Sequence, residues 1–127
     1  LRGKIKEFGM GKLQESLYVT PYDFGGDLRE FIEIHELSDY VEVFEARHTF
    51  GSDPKTLAWR VWQLDKLEEK YEELRQRLDK KQRITSKDKL EYQTQFEEIL
   101  LSDPLLPKEL LPKDWIGFKV RKLFFGK

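Results

Sequence analysis

A chain of 127 residues that is 39% hydrophobic and carries 9 Phe, 5 Tyr and 3 Trp has the length and the apolar stock for one buried core with at most an appendage. That composition excludes a disordered chain. Zero Cys excludes a disulfide framework, a thiolate metal site and a Cys nucleophile, and two His thirteen residues apart, His35 and His48, exclude a multi-His metal centre. With 23 Lys plus Arg against 24 Asp plus Glu, a domain-wide basic field for nucleic acid is excluded, though a local patch is not.

No apolar run reaches the ~18 residues of a bilayer span and no signal-peptide pattern opens the chain, which places it in the cytoplasm with no membrane partner. The first residue is Leu1 and the only Met is Met10, so a piece of a longer protein is expected.

The first predicted element is a helix over residues 1–8, with Leu1, Ile5 and Phe8 on one stripe and Arg2, Lys4 and Lys6 facing away. Gly9 and Gly11 end it, because glycine supplies the left-handed turn at a helix C-terminus. Residues 13–20 alternate, Leu13, Glu15, Leu17 and Val19 against Gln14, Ser16, Tyr18 and Thr20, and read as a half-buried strand closed by Pro21. A helix from about Asp27 to Glu36 follows, with Asp27 as N-cap, Glu30 as its capping-box partner and Leu28, Phe31, Ile32 and a partly buried His35 on its apolar stripe. After a turn at Ser38-Asp39, residues 40–47 (YVEVFEAR) read as a second strand.

Gly51-Ser52-Asp53-Pro54 is a helix start, Asp53 capping and Pro54 in the first turn. The longest predicted helix, about Lys55 to Lys81, carries Leu57, Val61, Leu64, Leu67, Tyr71, Leu74 and Leu78 at heptad-like spacings suited to packing along another helix. Its opposite, charged face reads as solvated. Thr85 or Ser86 caps a further helix to about Leu101, striped by Leu90, Gln93, Phe96 or Glu97, and Leu100. The prolines of residues 103–112 then forbid a long helix. Asp114 caps a last helix lined by Ile116, Val120, Leu123 and Phe124. Trp115 reads as a plug sealing the proline-rich segment onto the body.

Catalytic constellations are scarce: no serine lies in a G-x-S-x-G turn and no Gly-rich phosphate loop is present. Gly25-Gly26 is either an ordinary turn or an anion-binding helix start, and Asp23 beside it either closes an Asx turn or is a placeable acid. Trp59, Trp62 and Tyr71 either anchor a core or line a pocket for an aromatic or acyl group. His48, after the second strand, is the better titratable group of the two histidines. Lys113, Lys119, Arg121, Lys122 and Lys127 form the one local basic cluster, suited either to phosphates or to the dipole of its own helix.

Four stretches in order (LRGKIKEFGMGKLQESLYVTPYD, LREFIEIHELSDYVEVFEARH, LAWRVWQLDKLEEKY and SDPLLPKELLPKDWIG) resemble the phenylacetic-acid-degradation repressor family, the PaaX-like transcriptional regulators. The most specific part is Asp103-Pro104-Leu105-Leu106-Pro107, then Leu110-Leu111-Pro112, Asp114-Trp115 and Gly117, supported by Trp62, Leu64, Leu67 and Tyr71.

The resemblance implies a fold: an α+β chain in which a truncated ferredoxin-like half, residues 1–50, similar to a small CRISPR-associated nuclease, precedes an α-helical C-terminal domain, residues 51–127. It also implies a function: the dimerisation and effector-sensing region of a DNA-binding repressor, without cofactor, with an aryl-acyl-CoA effector near Trp59, Trp62, Tyr71 and His48. DNA would be read only by a winged helix-turn-helix absent from these residues. The first ferredoxin-like strand, and the metal-binding Asp it carries in the nuclease, are also missing. A sheet short of one strand exposes unpaired backbone and is expected to recruit a substitute by strand or helix swapping or by dimerising. The alternative is a metal-dependent nuclease with Asp23 replacing the missing acid; a third reading is a scaffold joined through the seam of residues 57–78.

Overall fold

The structure, a computed structural model, describes residues 2–80 and 83–125; Leu1 of the first stripe, Lys81 at the long helix end and Lys127 of the basic cluster lie outside them. The protein is α+β and mostly helical. Helix α1 spans Arg2–Glu7. Gly9, in the left-handed region at φ 67°, closes it: Gly9 N–H donates to Lys6 O at 3.0 Å and Met10 N–H to Ile5 O at 3.1 Å.

The single strand expected over 13–20 is instead a hairpin. Strand β1 is Gly11–Gln14 and strand β2 is Leu17–Val19, antiparallel, with Gly11 opposite Val19, Lys12 opposite Tyr18 and Gln14 opposite Leu17. Alternation alone cannot reveal the fold-back, because the period of two runs through the Glu15-Ser16 turn, where Ser16 takes φ 65°. Gly11 does not end α1. It is buried in β1, where a Cβ would stand 2.7 Å from Trp62 Cε2 and closer still to Val61 Cγ1.

Helix α2 runs Gly25–Ile34, earlier than expected, so Asp27 lies within its first turn and does not cap it. Leu28 and Ile32 are buried, but His35 is exposed, its ring resting on Phe31 at 4.3 Å. The helix ends without glycine, Glu36 taking φ 53°. The predicted strand over residues 40–47 does not form: the one sheet among the described residues is the β1–β2 hairpin, and no segment pairs with this stretch. A strand needs a ladder partner to satisfy its backbone, and local alternation cannot supply one.

The long helix is two: α3, Pro54–Val61, and α4, Leu64–Lys80. Asp53 caps α3, its Oδ2 accepting from Lys55 N–H at 3.0 Å, and Gln63 at φ 49° makes the break. Helix α5 is Ser86–Ser102, opened by a reciprocal capping box between Thr85 and Asp88. It buries Tyr92, Phe96 and Ile99, while Leu90, expected on the stripe, is 69% exposed. The larger aromatic faces remove more apolar area from water, and they set the rotation of the helix.

A short 3₁₀ turn, Lys108–Leu110, leads to α6, Ile116–Phe125. Asp114 does not hold the cap position. It makes a left-handed turn at φ 58° and Trp115 directly precedes α6. Ile116 and Val120 are buried as expected; Leu123 is exposed. Helix α4 packs against both α5 and α6. Leu64, Leu67, Tyr71 and Leu74 are thereby buried within the chain, so this seam faces its own helices and not a scaffold partner.

Gly11 joins the hairpin to the α3–α4 corner, so even a methyl group there overpacks it. Gly11→Ala is expected to lose about 1–3 kcal/mol, read as a lower urea midpoint at unchanged slope; an unchanged midpoint contradicts the close approach.

Candidate functional site

The site is built at the corner where α3 ends. Trp62 follows the last turn of α3, part-buried, and its indole N–H donates to the Gly9 carbonyl at 2.8 Å. That bond reaches across from the helical body to the turn that closes α1. Trp59, one turn earlier, packs part-buried against the same core cluster.

Tyr71 is fully buried at the middle of α4. A buried phenol needs a partner, and its hydroxyl donates to Asp103 Oδ2 at 2.6 Å. The other oxygen of that carboxylate, Oδ1, accepts from Leu105 N–H at 2.8 Å. Leu105 is thereby held in a left-handed turn at φ 53°, and its carbonyl accepts from the Tyr22 hydroxyl of the first half. Pro104 lies under Gly9, 3.4 Å from where a Cβ would stand. The rings of Trp115 and Tyr71 meet edge to face at 6.4 Å and 90°, which seats the plug expected from the sequence. Burial first, and then the hydrogen bond to Asp103, push the Tyr71 phenol far above its ordinary value.

Trp59, Trp62 and Tyr71 thus share one core cluster, whereas His48 is exposed in the stretch without a partner strand. Two open hollows border α6. One, of about 620 Å³, is lined by Phe118, Arg121, Lys122 and Phe125. The other, of about 430 Å³, is lined by residues including Lys55, Lys108, Lys113 and Phe118. None of the four predicted effector residues lines either hollow. Arg121 of the basic cluster lies against its own helix: its Nε donates to Gly117 O at 3.2 Å and its guanidinium lies 5.0 Å from the Phe118 ring centre.

The Asp23 carboxylate accepts from Gly25 N–H at 3.0 Å, an Asx turn. Among the described residues no three His, Asp or Glu side chains converge to hold a metal ion, and no helix is long and apolar enough to cross a membrane. Asp103, placed in the family motif, and Gly11, placed at a helix end, were given no role at this junction from the sequence, and neither was Tyr22. The Asp-Pro step of the proline-rich segment was the available signal for the first; the others carry no local one.

Comparison with known families places this junction in context. The PaaX-like protein C-terminal domain matches residues 62–126, and the PaaX protein central Cas2-like domain matches residues 1–58. The chain belongs to the PaaX-like family. No curated protein and no solved structure matches it.

Tyr71→Phe removes a buried hydrogen bond to a carboxylate and is expected to cost about 1.5–3 kcal/mol at neutral pH. Above the ordinary tyrosine value of about 10, the unfolded chain releases this proton while the folded chain retains it, so stability falls as pH rises through that range. Urea midpoints at pH 8 and pH 11 should show a smaller alkaline loss for Tyr71→Phe than for the parent. Equal losses contradict the assignment.

Proposed function

We propose that residues 1–127 serve dimerisation and effector sensing in a PaaX-like transcriptional repressor of the cytoplasm. In this reading residues 1–50 are a truncated ferredoxin-like half and residues 51–127 a helical domain, and DNA is contacted only through a winged-helix domain outside these residues. The observation that supports it is the succession of the two PaaX domain matches along the chain, central and then C-terminal.

The geometry suggests how sensing works. Trp62 and the Asp103–Leu105 turn are the points at which the helical body holds the first half. A ligand, an aryl-acyl-CoA thioester by the family resemblance, that repacks Trp59, Trp62 or Tyr71 alters that hold; His48, exposed outside that cluster, is the fourth residue of this reading. A small molecule shifts such an arrangement only as far as it binds one state better than the other. Asp23, engaged in its turn without converging acids, lends no support to metal-dependent nuclease chemistry.

Thermal shift with a panel of acyl-CoA thioesters tests sensing. A binder at 100 times its Kd adds about 2.7 kcal/mol, and its shift should shrink in Trp59→Ala; no shift across the panel removes effector sensing from the reading. Sedimentation at micromolar concentration tests dimerisation, for which a strict monomer is the contrary result.

A further inference from the structure

Residues 42–50, EVFEARHTF, overlap the stretch 40–47 that the sequence reads as a strand, and the structure supplies no partner. Among the described residues no backbone–backbone hydrogen bond engages this stretch, whereas Val41 N–H, just before it, still donates to Leu37 O at 3.1 Å. Its side chains are exposed without exception, Phe44 at 82% and Phe50 at 90%, with Tyr40 at 83% immediately upstream. Nine residues of unladdered backbone beside large exposed aromatic rings form a template for strand addition.

We propose that this stretch pairs antiparallel with the same stretch of a second copy of the chain, about a two-fold axis at Ala46. The inference rests on the dimerisation reading above and names its interface. In such a pair the two-fold sets residue i opposite residue j on one face only when their numbers have an even sum. Charge then selects among the registers. Centring on Glu45 or on Arg47 sets like charges against each other, and centring on Val43 or Phe44 sets no opposite charges together within residues 42–50.

Centring on Ala46 places Glu45 opposite Arg47 of the second copy, twice by symmetry. It also places Phe44 opposite His48 and Val43 opposite Thr49. Ala46 is the midpoint of residues 42–50, so this register alone ladders the whole unbonded stretch. The smallest side chain of the segment falls on the axis, at a hydrogen-bonded pair in which the two copies of Ala46 exchange N–H···O bonds.

Three variants measured by sedimentation across a micromolar series, with amide hydrogen exchange, test it. Because the Ala46 N–H has no bond within the chain, Ala46→Pro leaves the urea midpoint of the monomer unchanged but removes a central ladder donor, and the dimer is lost. Glu45→Arg weakens the dimer by about tenfold, two cross-strand pairs turning repulsive. The exchange Glu45→Arg with Arg47→Glu restores it to within about threefold of the parent, because opposite charges again face each other across the axis. Exchange protection of residues 42–50 rises with concentration in the parent and in the charge-exchanged variant. A dimer indifferent to Ala46→Pro overturns this interface and leaves dimerisation standing elsewhere. A monomer with no protection in residues 42–50 at any concentration overturns both.

Discussion

The fold turns on one buried hydroxyl. Tyr71 sits at the centre of α4 with its phenol out of water, and a phenol so placed is costly unless it finds an acceptor. Asp103 supplies one with one carboxylate oxygen and uses the other to hold Leu105 N–H. The prolines that follow deny the chain a helix, and the carboxylate decides which way it bends. Leu106 and Leu111 are then buried, and Trp115 closes over Tyr71 from the side.

From that bend the helical body takes hold of the first half. The Leu105 carbonyl receives the Tyr22 hydroxyl, Pro104 lies under Gly9, and Trp62 donates to the Gly9 carbonyl. Gly9 and Gly11 are small for different reasons. Gly9 must adopt a left-handed turn, whereas Gly11 must leave room for Val61 and Trp62. The junction between the stretches matched by the two PaaX domains is therefore a packed, hydrogen-bonded seam, and a change at the tryptophans is felt on both sides of it.

Much of this was legible in the sequence, and the failures have physical causes. Caps read true where side chain and backbone act locally: Asp53 before Pro54, and Thr85, one of two candidates, to which the structure adds Asp88 as its reciprocal partner. The core of α4 followed from its heptad-like spacing. The break at Gln63 did not, because glutamine carries no signal for a left-handed residue and the apolar period runs through the break; the residues packed beside it, Gly9 and Gly11, lie some fifty residues away. The same holds for Glu36, which ends α2 without glycine. Residues 40–47 show the converse: a clear strand pattern stays unladdered when no partner is beside it. Of the candidate site residues, the three aromatics of the long helix were found together in one core cluster, while the roles of Asp103 and Tyr22 were missed because their partners, Tyr71 and Leu105, are far away in sequence.

The central claim is that Asp103 and Leu105 connect the core of α4 to the first half, so that Tyr71 and Tyr22 belong to one network although they do not touch. A double-mutant cycle of Tyr71→Phe and Tyr22→Phe, measured by urea unfolding, addresses this directly. The account predicts a coupling of about 0.5 kcal/mol or more, because loss of either hydroxyl loosens the turn that the other uses. Additive losses, within about 0.3 kcal/mol, would contradict it and leave two independent hydrogen bonds in place of a junction.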